Sequence, residues 1–580
     1  MNNLDFGIVG NCRSAALVSK KASIDWCCLP EFDSASVFAK ILDNDKGGHF
    51  GFLNTDDYQI SQSYIKNTCV LKTRFENKES AFEVLDFLPR YQKSNQKYHA
   101  PPEIIRYIRV LYGQPKIVID YQPRLEYAKG KTNIFDKSKF IVGLIEDEEH
   151  FDSLFLYTNL DHEKIIQKEP IKLNNDAFFL LSYNEKIDKP DINNMALEYE
   201  RTKVYWLDWC HNTPNFKHFE KEVLRSAMTL KLLSYDKSGA ILAAATTSLP
   251  ETIGEVRNWD YRFCWIRDAS MVVNVISKLN HNRLANRYLQ FVIDLIPDKN
   301  EKLQIMYGIN KEKQLTENSK PVRTGNAAYQ QKQNDIYGIL MDVIYQELVK
   351  FNSDIENKEE LWTITKGIAW VVKHHWTEPD KGIWEFRQGD RHFTFSKVLC
   401  WVAIDRAIKV SKMLGKTSKL YRWEKLEEEI KTDILKNSWN DDVQAFTQSY
   451  DSEDLDASVL LMETYGFIDA KHPKFVKTVE AIGKDLTNDG LLYRYKNKDD
   501  FGLPMSSFTI CTFWYINSLN KIGRTQEALS QFKTLLSYSN HLGLFSEDID
   551  FKTKRLLGNF PQAYSHLALI ETAMNFEKVL

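Results

Sequence analysis

From residue 218 onward, helical stretches are joined by connections that alternate between long and short, and this alternation restricts the fold more than any other feature. Twelve stretches with helical periodicity fall near 218–235, 268–280, 281–296, 333–351, 358–374, 395–414, 419–437, 454–466, 472–485, 506–522, 525–538 and 561–576. In DASMVVNVISKL, for example, Met271, Val272, Val275, Ile276 and Leu279 share one face. A loop of roughly 16 to 36 residues follows each odd-numbered stretch, and a connection of zero to about seven follows each even-numbered one. Antiparallel helices joined in this way place every long loop at one end of the assembly. Six helical hairpins closed into a ring, an (α/α)6 barrel, satisfy the pattern. An open helical solenoid is the competing arrangement, but it would show an internal repeat that the sequence lacks. Loops this long in a compact domain usually carry function.

Residues 1–193 have a different period. EIIRYIRVLYG followed by QPKIVIDYQPRLEY reads as a hairpin-like pair of strands around a Gly-Gln-Pro turn. KNTCVLKTRFENKESAFEVLDFLPR and KFIVGLIEDEEHFDSLFLYTNL repeat short β-branched runs broken by polar turns. Together they predict an antiparallel β-sandwich. Residues 194–217 carry too many aromatics to be a solvated linker and read as a helical connector. The domain plan is therefore an N-terminal sandwich (1–193), a helical linker (194–217) and a barrel (218–580).

Charge excludes one large class of partners. With 76 Lys and Arg against 79 Asp and Glu, and no basic stripe, nucleic-acid binding is not expected. No run of 18 apolar residues exists, so no membrane span is expected. MNNLDFGIVGNC has no charged segment followed by an apolar one, which predicts no secretory signal and a cytoplasmic location. The eight cysteines are scattered, with no CxxC pair and no Cys/His spacing, so neither a disulfide framework nor a metal or other cofactor is expected. Oligomeric state is not legible.

The unusual residues sit in the long loops. VRNWDYRFCWIRDAS precedes the second helix, GIWEFRQGDRHFTFSK the sixth, and HLGLFSEDIDFKTKRLLGNFPQA the twelfth. Carboxylates beside tryptophans in glycine-containing loops, gathered at one face, suit cleavage of a sugar acetal. That reaction needs an acid on the leaving oxygen and, for inversion, a base that activates water on the other side of the ring. Glu385, flanked by Ile383 and Trp384, sits where apolar neighbours would keep it protonated. Glu547, followed by Asp548 and Asp550, reads as the more polar and ionised of the two. The competing reading of each is a solvated loop glutamate. Asp268 stands at a helix start and reads as an N-cap that can also offer an oxygen to a sugar hydroxyl. His392 reads as a structural histidine.

These residues bring a family into view. The chain resembles glycoside hydrolase family 15, the glucoamylase, glucodextranase and trehalase family, over nearly its full length. The resemblance rests on GNCRSAALVSKKASIDWCCLPEFDSASVFAKIL, ETIGEVRNWDYRFCWIRDAS, KPVRTGNAAYQQKQNDIYG, GIWEFRQGDRHFTFSKVLCWVAIDRAI, DLDASVLLM and LGLFSEDIDFKTKRLLGNFPQAYSHLALI. It implies a β-sandwich joined by a helical linker to an (α/α)6 barrel, and inversion at the anomeric carbon. It also implies Glu385 as general acid and Glu547 as general base. Trp265, Arg267 and Asp268 would grip the terminal glucose, with Trp384 lining the same pocket. The expected activity is release of β-glucose from the non-reducing end of α-linked gluco-oligosaccharides, in the manner of a glucoamylase. A trehalase of the same family is the alternative. A disaccharide phosphorylase and a non-catalytic sugar-binding protein stand behind both.

Overall fold

The structure, a computed structural model, describes every residue except 1–2, 95–96, 146–151, 189, 296–302, 351–357 and 388. The expected ends of the third and fourth barrel stretches, at 296 and 351, and the middle of the 139–160 strand pair lie outside the described residues.

The N-terminal region is two antiparallel sheets, one of seven strands and one of eight. Strands β1 (His49–Leu53), β2 (Ala81–Phe87), β3 (Glu103–Tyr112), β4 (Lys116–Gln122) and β5 (Ala177–Tyr183) show how they meet. Phe50 of β1 packs edge-on against Phe179 of β5 across the gap. Arg106 of β3 reaches from one sheet to the other. It donates to the Phe50 carbonyl at 2.7 Å and holds Asp86 of β2 at 2.7 Å. The expected hairpin between β3 and β4 does not form. β3 lies inside the eight-stranded sheet with both edges taken, by β2 and β5, so β4 crosses to the other sheet and pairs with β1. The Gly-Gln-Pro segment does separate the two strands, with Gly113 at φ +69. Strand partners, however, are set by burial rather than by the turn.

Helix α1 (Ile192–His211) follows, and twelve helical elements come after it. They are α2 (Glu220–Leu232), α3 (Ile266–Lys278), α4 (Asn282–Leu295), α5 (Asp335–Lys350), α6 (Lys358–His375), α7 (Thr394–Met413) and α8 (Leu420–Asn437), then α9 (Leu461–Thr464) entered through a 3-10 turn at Ala457–Leu460, α10 (Pro473–Leu486), α11 (Thr509–Lys521), α12 (Thr525–Leu536) and α13 (Ala563–Glu577). α3 packs on α5, α5 on α7, α7 on the 457–464 element, that element on α11, α11 on α13, and α13 back on α3. The ring closes, which a solenoid would not do.

The even-numbered helices lie outside this ring, each against an inner neighbour. Burial follows position. α8 buries only Trp423, Leu426, Ile430 and Ile434, a single stripe, whereas α7 is buried almost all round. The eighth stretch is the one marked departure, since much of the predicted helix is a 3-10 turn. The Asp456 side chain accepts from the Ser458 N–H at 2.7 Å and starts that tighter turn. The two regions share one core. Trp26 donates to the Ala245 carbonyl at 2.9 Å, and Asn540 to the Leu4 and Phe6 carbonyls at 2.9 and 2.8 Å. All eight cysteines are buried and unpaired with one another. Among the described residues, no helix is long and apolar enough to cross a membrane.

Candidate active site

Each long loop leads into the N-terminus of an inner helix, so the mouth of the ring gathers helix ends whose partial positive charge favours carboxylates. Asp268 and Asp335 lie in the first turns of α3 and α5, and Asp456 caps the 3-10 turn. A cavity of about 80 Å³ opens there, lined among others by Trp265, Arg267, Asp268, Trp384 and Glu385. Five of the six residues singled out in the sequence therefore share one cavity.

Glu385 is presented by a tight turn. Its N–H donates to the Gly382 carbonyl at 3.2 Å, and the next N–H, of Phe386, donates to Lys381 at 3.2 Å. Gly382 has φ +64, and a Cβ there would stand 2.7 Å from the Phe393 ring. Glu385 itself has φ +60, a left-handed conformation that costs a non-glycine residue about 1–2 kcal/mol and is found disproportionately at functional sites. Its Oε1 accepts from Trp265 Nε1 at 2.7 Å, with Arg267 Nη2 3.8 Å away. Burial raises the carboxyl above its ordinary range, although Arg267 and Trp265 pull it back. A carboxyl with that tendency suits the acid role.

Arg267 is fully engaged. Nε donates to Asp268 at 3.0 Å and to the Tyr564 hydroxyl at 3.1 Å, while Nη1 donates to Gln333 at 2.9 Å and to Asp335 at 3.3 Å. Asp268 does not cap its helix as the sequence suggested. Trp265 holds the cap position, and Asp268 sits three residues on, within the first turn, paired with Arg267. The WIRD segment thus enters the helix earlier than its capping residue type indicates. Trp384 donates through Nε1 to both oxygens of Asp456, at 3.0 and 2.8 Å, so its ring orientation is fixed. His392 does not line the cavity. Its ring stacks near Tyr450, as a structural histidine would.

Glu547 departs from expectation. It is not the more solvated carboxylate but is fully buried, beside a short three-stranded sheet formed by Ser507–Phe508, Asp548–Ile549 and Leu556–Leu557. It does not itself line the cavity. It lies behind Tyr261 and Glu251, which do, and both interact with it. Oε2 accepts from the Asn559 N–H at 3.0 Å, and the Tyr261 hydroxyl also steadies the carboxylate. Gly558, at φ +72, makes this seat possible, because a Cβ there would stand 2.7 Å from Oε2. Burial, then the Glu251 charge, pushes Glu547 up to about 8. Asp548 is also pushed well above its ordinary range, first by burial and then by Glu251 and Glu547. Three carboxylates thus stand near one guanidinium, Arg494, which donates to Glu251 Oε2 at 2.9 Å.

Sequence reasoning missed Tyr261, Glu251 and Arg494. Tyr261 carried a signal, standing four residues before Trp265 in a quoted segment, and the two rings pack edge to face at 5.3 Å. One member of this aromatic pair holds Glu385 and the other stands by Glu547. Glu251 opens the same quoted segment, whereas nothing local marks Arg494, 243 positions away. Among the described residues, no group of three or more His, Cys, Asp or Glu side chains is placed to hold a metal.

Comparison with known proteins agrees with this architecture. Residues 217–574 match the model of glycosyl hydrolases family 15, and residues 5–143 match a trehalase-like N-terminal domain. A trehalase of Thermoplasma volcanium is 34% identical over 99% of this chain and 93% of its own length. A trehalase of Mycolicibacterium smegmatis is 33% identical over 98% of this chain and 90% of its own. The structure of a bacterial glucoamylase complexed with acarbose superposes with a TM-score of 0.72 at 14% identity, covering 99% of this chain and 94% of that one. This last likeness shows the fold, a β-sheet domain followed by an (α/α)6 barrel. The chain belongs to glycosyl hydrolases family 15 and is a glycoside hydrolase.

Proposed function

We propose that the enzyme is an inverting trehalase, with Glu385 as general acid and Glu547 as general base. Glu385 gives its proton to the oxygen bridging the two glucose units as the C1–O bond breaks. Water attacks C1 from the opposite face and yields its proton to Glu547, leaving one β-glucose and one α-glucose. Trp265, Arg267, Asp268 and Trp384 hold the glucose whose C1 reacts.

The observation that carries this reading is the pairing of a tethered, partly accessible carboxyl on one loop with a buried carboxylate held by Asn559 and Tyr261 directly behind the same cavity. Glu251 is the rival base, but both its oxygens are occupied, by Trp259 Nε1 at 3.0 Å and by Arg494. The choice of trehalose over longer α-glucans rests on full-length similarity to trehalases, which supports the trehalase alternative better than the glucoamylase-like reading. A phosphorylase would need an anion site where Glu251, Glu547 and Asp548 stand, and these would repel phosphate.

Incubation with trehalose, maltose, isomaltose and kojibiose tests the substrate, and trehalose is expected to be cleaved fastest. Glu385→Gln and Glu547→Gln should each lower turnover about 10²–10⁴-fold with the fold intact. Preference for another sugar would sink the trehalase reading, and near-normal turnover by either folded variant would sink the roles.

A further inference from the structure

Beyond the reacting sugar, the same cavity is walled by Arg257, Trp259, Arg387, Asp499, Asp500 and Phe501. None of these follows from the chemistry of the acid and base, and they come from three different long loops. They interlock. The Arg387 guanidinium lies 4.9 Å from the Trp259 ring centre and 5.3 Å from that of Phe501. Trp259 and Phe501 meet edge to face at 5.0 Å. The Arg387 N–H donates to Asp500 at 2.5 Å, and its Nη2 donates to Glu317 at 3.2 Å. Glu317, from a fourth loop, also pairs with Arg323, whose guanidinium covers Trp259 at 5.0 Å. Arg257 ties the first loop to the fifth through Asp499 at 2.6 Å and the Gly502 carbonyl at 3.0 Å.

The effect is a clasp. Four loops that would otherwise splay around an open cleft are pinned by an arginine held between two aromatic rings and by paired charges. The half-exposed Arg387 marks its outer side, and the buried Arg267 and Asp268 mark the inner end. The cavity's roughly 80 Å³ is small by a measure in which one water takes about 10–15 Å³, so it encloses something on the scale of one sugar ring. The second ring of a disaccharide then meets the clasp, whose aromatic and cationic faces suit a pyranose, and a third sugar meets a wall.

We propose that Trp259, Arg387 and Phe501 close the leaving-group subsite to a single sugar, making them the residues that restrict the enzyme to disaccharides. This rests on the hydrolase reading above and adds the length limit to it.

The test compares kcat/KM for trehalose with that for trehalose bearing one further glucose on one ring, scoring release of the disaccharide product. Maltose and maltotriose form a second pair. The unaltered enzyme should favour the shorter member by about 100-fold or more, and R387A and F501A should each shrink that ratio at least tenfold. A conservative Arg387→Lys should recover part of it, because a point charge still sits over the rings but without the guanidinium plane. The proposal is overturned if the unaltered enzyme cleaves both members equally, or if folded R387A and F501A leave the ratio unchanged. Failure to cleave trehalose at all, with the maltose pair still length-limited, would instead overturn the trehalase reading and leave the clasp standing.

Discussion

At the residue scale, the site depends on two buried carboxyl groups held by different means. Glu385 has a tryptophan N–H and an arginine to steady its ionised form, whereas Glu547 has other carboxylates for company. The pH dependence follows from that difference. With Glu385 as acid and Glu547 as base, as proposed, cleavage requires Glu385 protonated and Glu547 ionised, so kcat/KM falls on both sides of an optimum and both limbs are displaced upward from the range of solvated carboxylates. Glu251→Gln removes the negative neighbour, lowers the Glu547 value and moves the limb that Glu547 governs to lower pH. Trp265→Phe removes the donor that favours ionised Glu385, raises the Glu385 value and moves the limb that Glu385 governs to higher pH. Both shifts are read from kcat/KM profiles. Limbs that stay put in folded variants would show that these contacts do not set the two groups. Glu385 drew attention through its apolar neighbours in a long loop, whereas Trp265, Arg267, Asp268 and Trp384 were reached through the family resemblance, and the fold gathers all five around one cavity. The polarity of Glu547 was misread because Asp548 and Asp550 suggested water nearby, whereas the fold buries Asp548 against it.

At the element scale, the short connecting strands and turns of the long loops do the positioning. The turn at Gly382–Glu385 projects Trp384 and Glu385 together, and Gly558, just after the Leu556–Leu557 strand, passes close enough to Glu547 to fix its carboxylate. Gly558→Ala should therefore cost more than its backbone strain of about 1–2 kcal/mol. The new methyl must displace Glu547, and a misplacement of about 1 Å can lower turnover about 100-fold. Thermal melting alongside kcat separates the two effects. A small drop in Tm with a large drop in kcat is expected, and unchanged kcat in a folded variant would contradict the close approach. The helices were legible from their apolar periodicity, down to the short and long connections. The 3-10 entry at Ala457 was not, because a capping aspartate is compatible with either kind of turn. The strand partners of β3 and β4 were not legible either, since which edges are free is a property of the assembled sheets.

At the scale of the whole molecule, closing the helical ring brings together loops that lie far apart in the chain. Glu385 and Glu547 come from the third and sixth long loops, and the charges that tune them, Arg267, Glu251 and Arg494, come from others. The alternation of connection lengths foretold that these loops would meet. It could not foretell which side chains would touch. The N-terminal sheets support the same end of the ring, with Arg262, beside the site-forming segment, bound to the Ser34 carbonyl at 2.8 Å and to Asp260 at 2.8 Å. The central claim is that the two carboxyl groups act from opposite faces of one glucose. Proton NMR of the sugars released from trehalose, recorded before mutarotation, tests it most directly. Equal amounts of α- and β-glucose are expected from the first turnovers, and α-glucose alone would contradict the account.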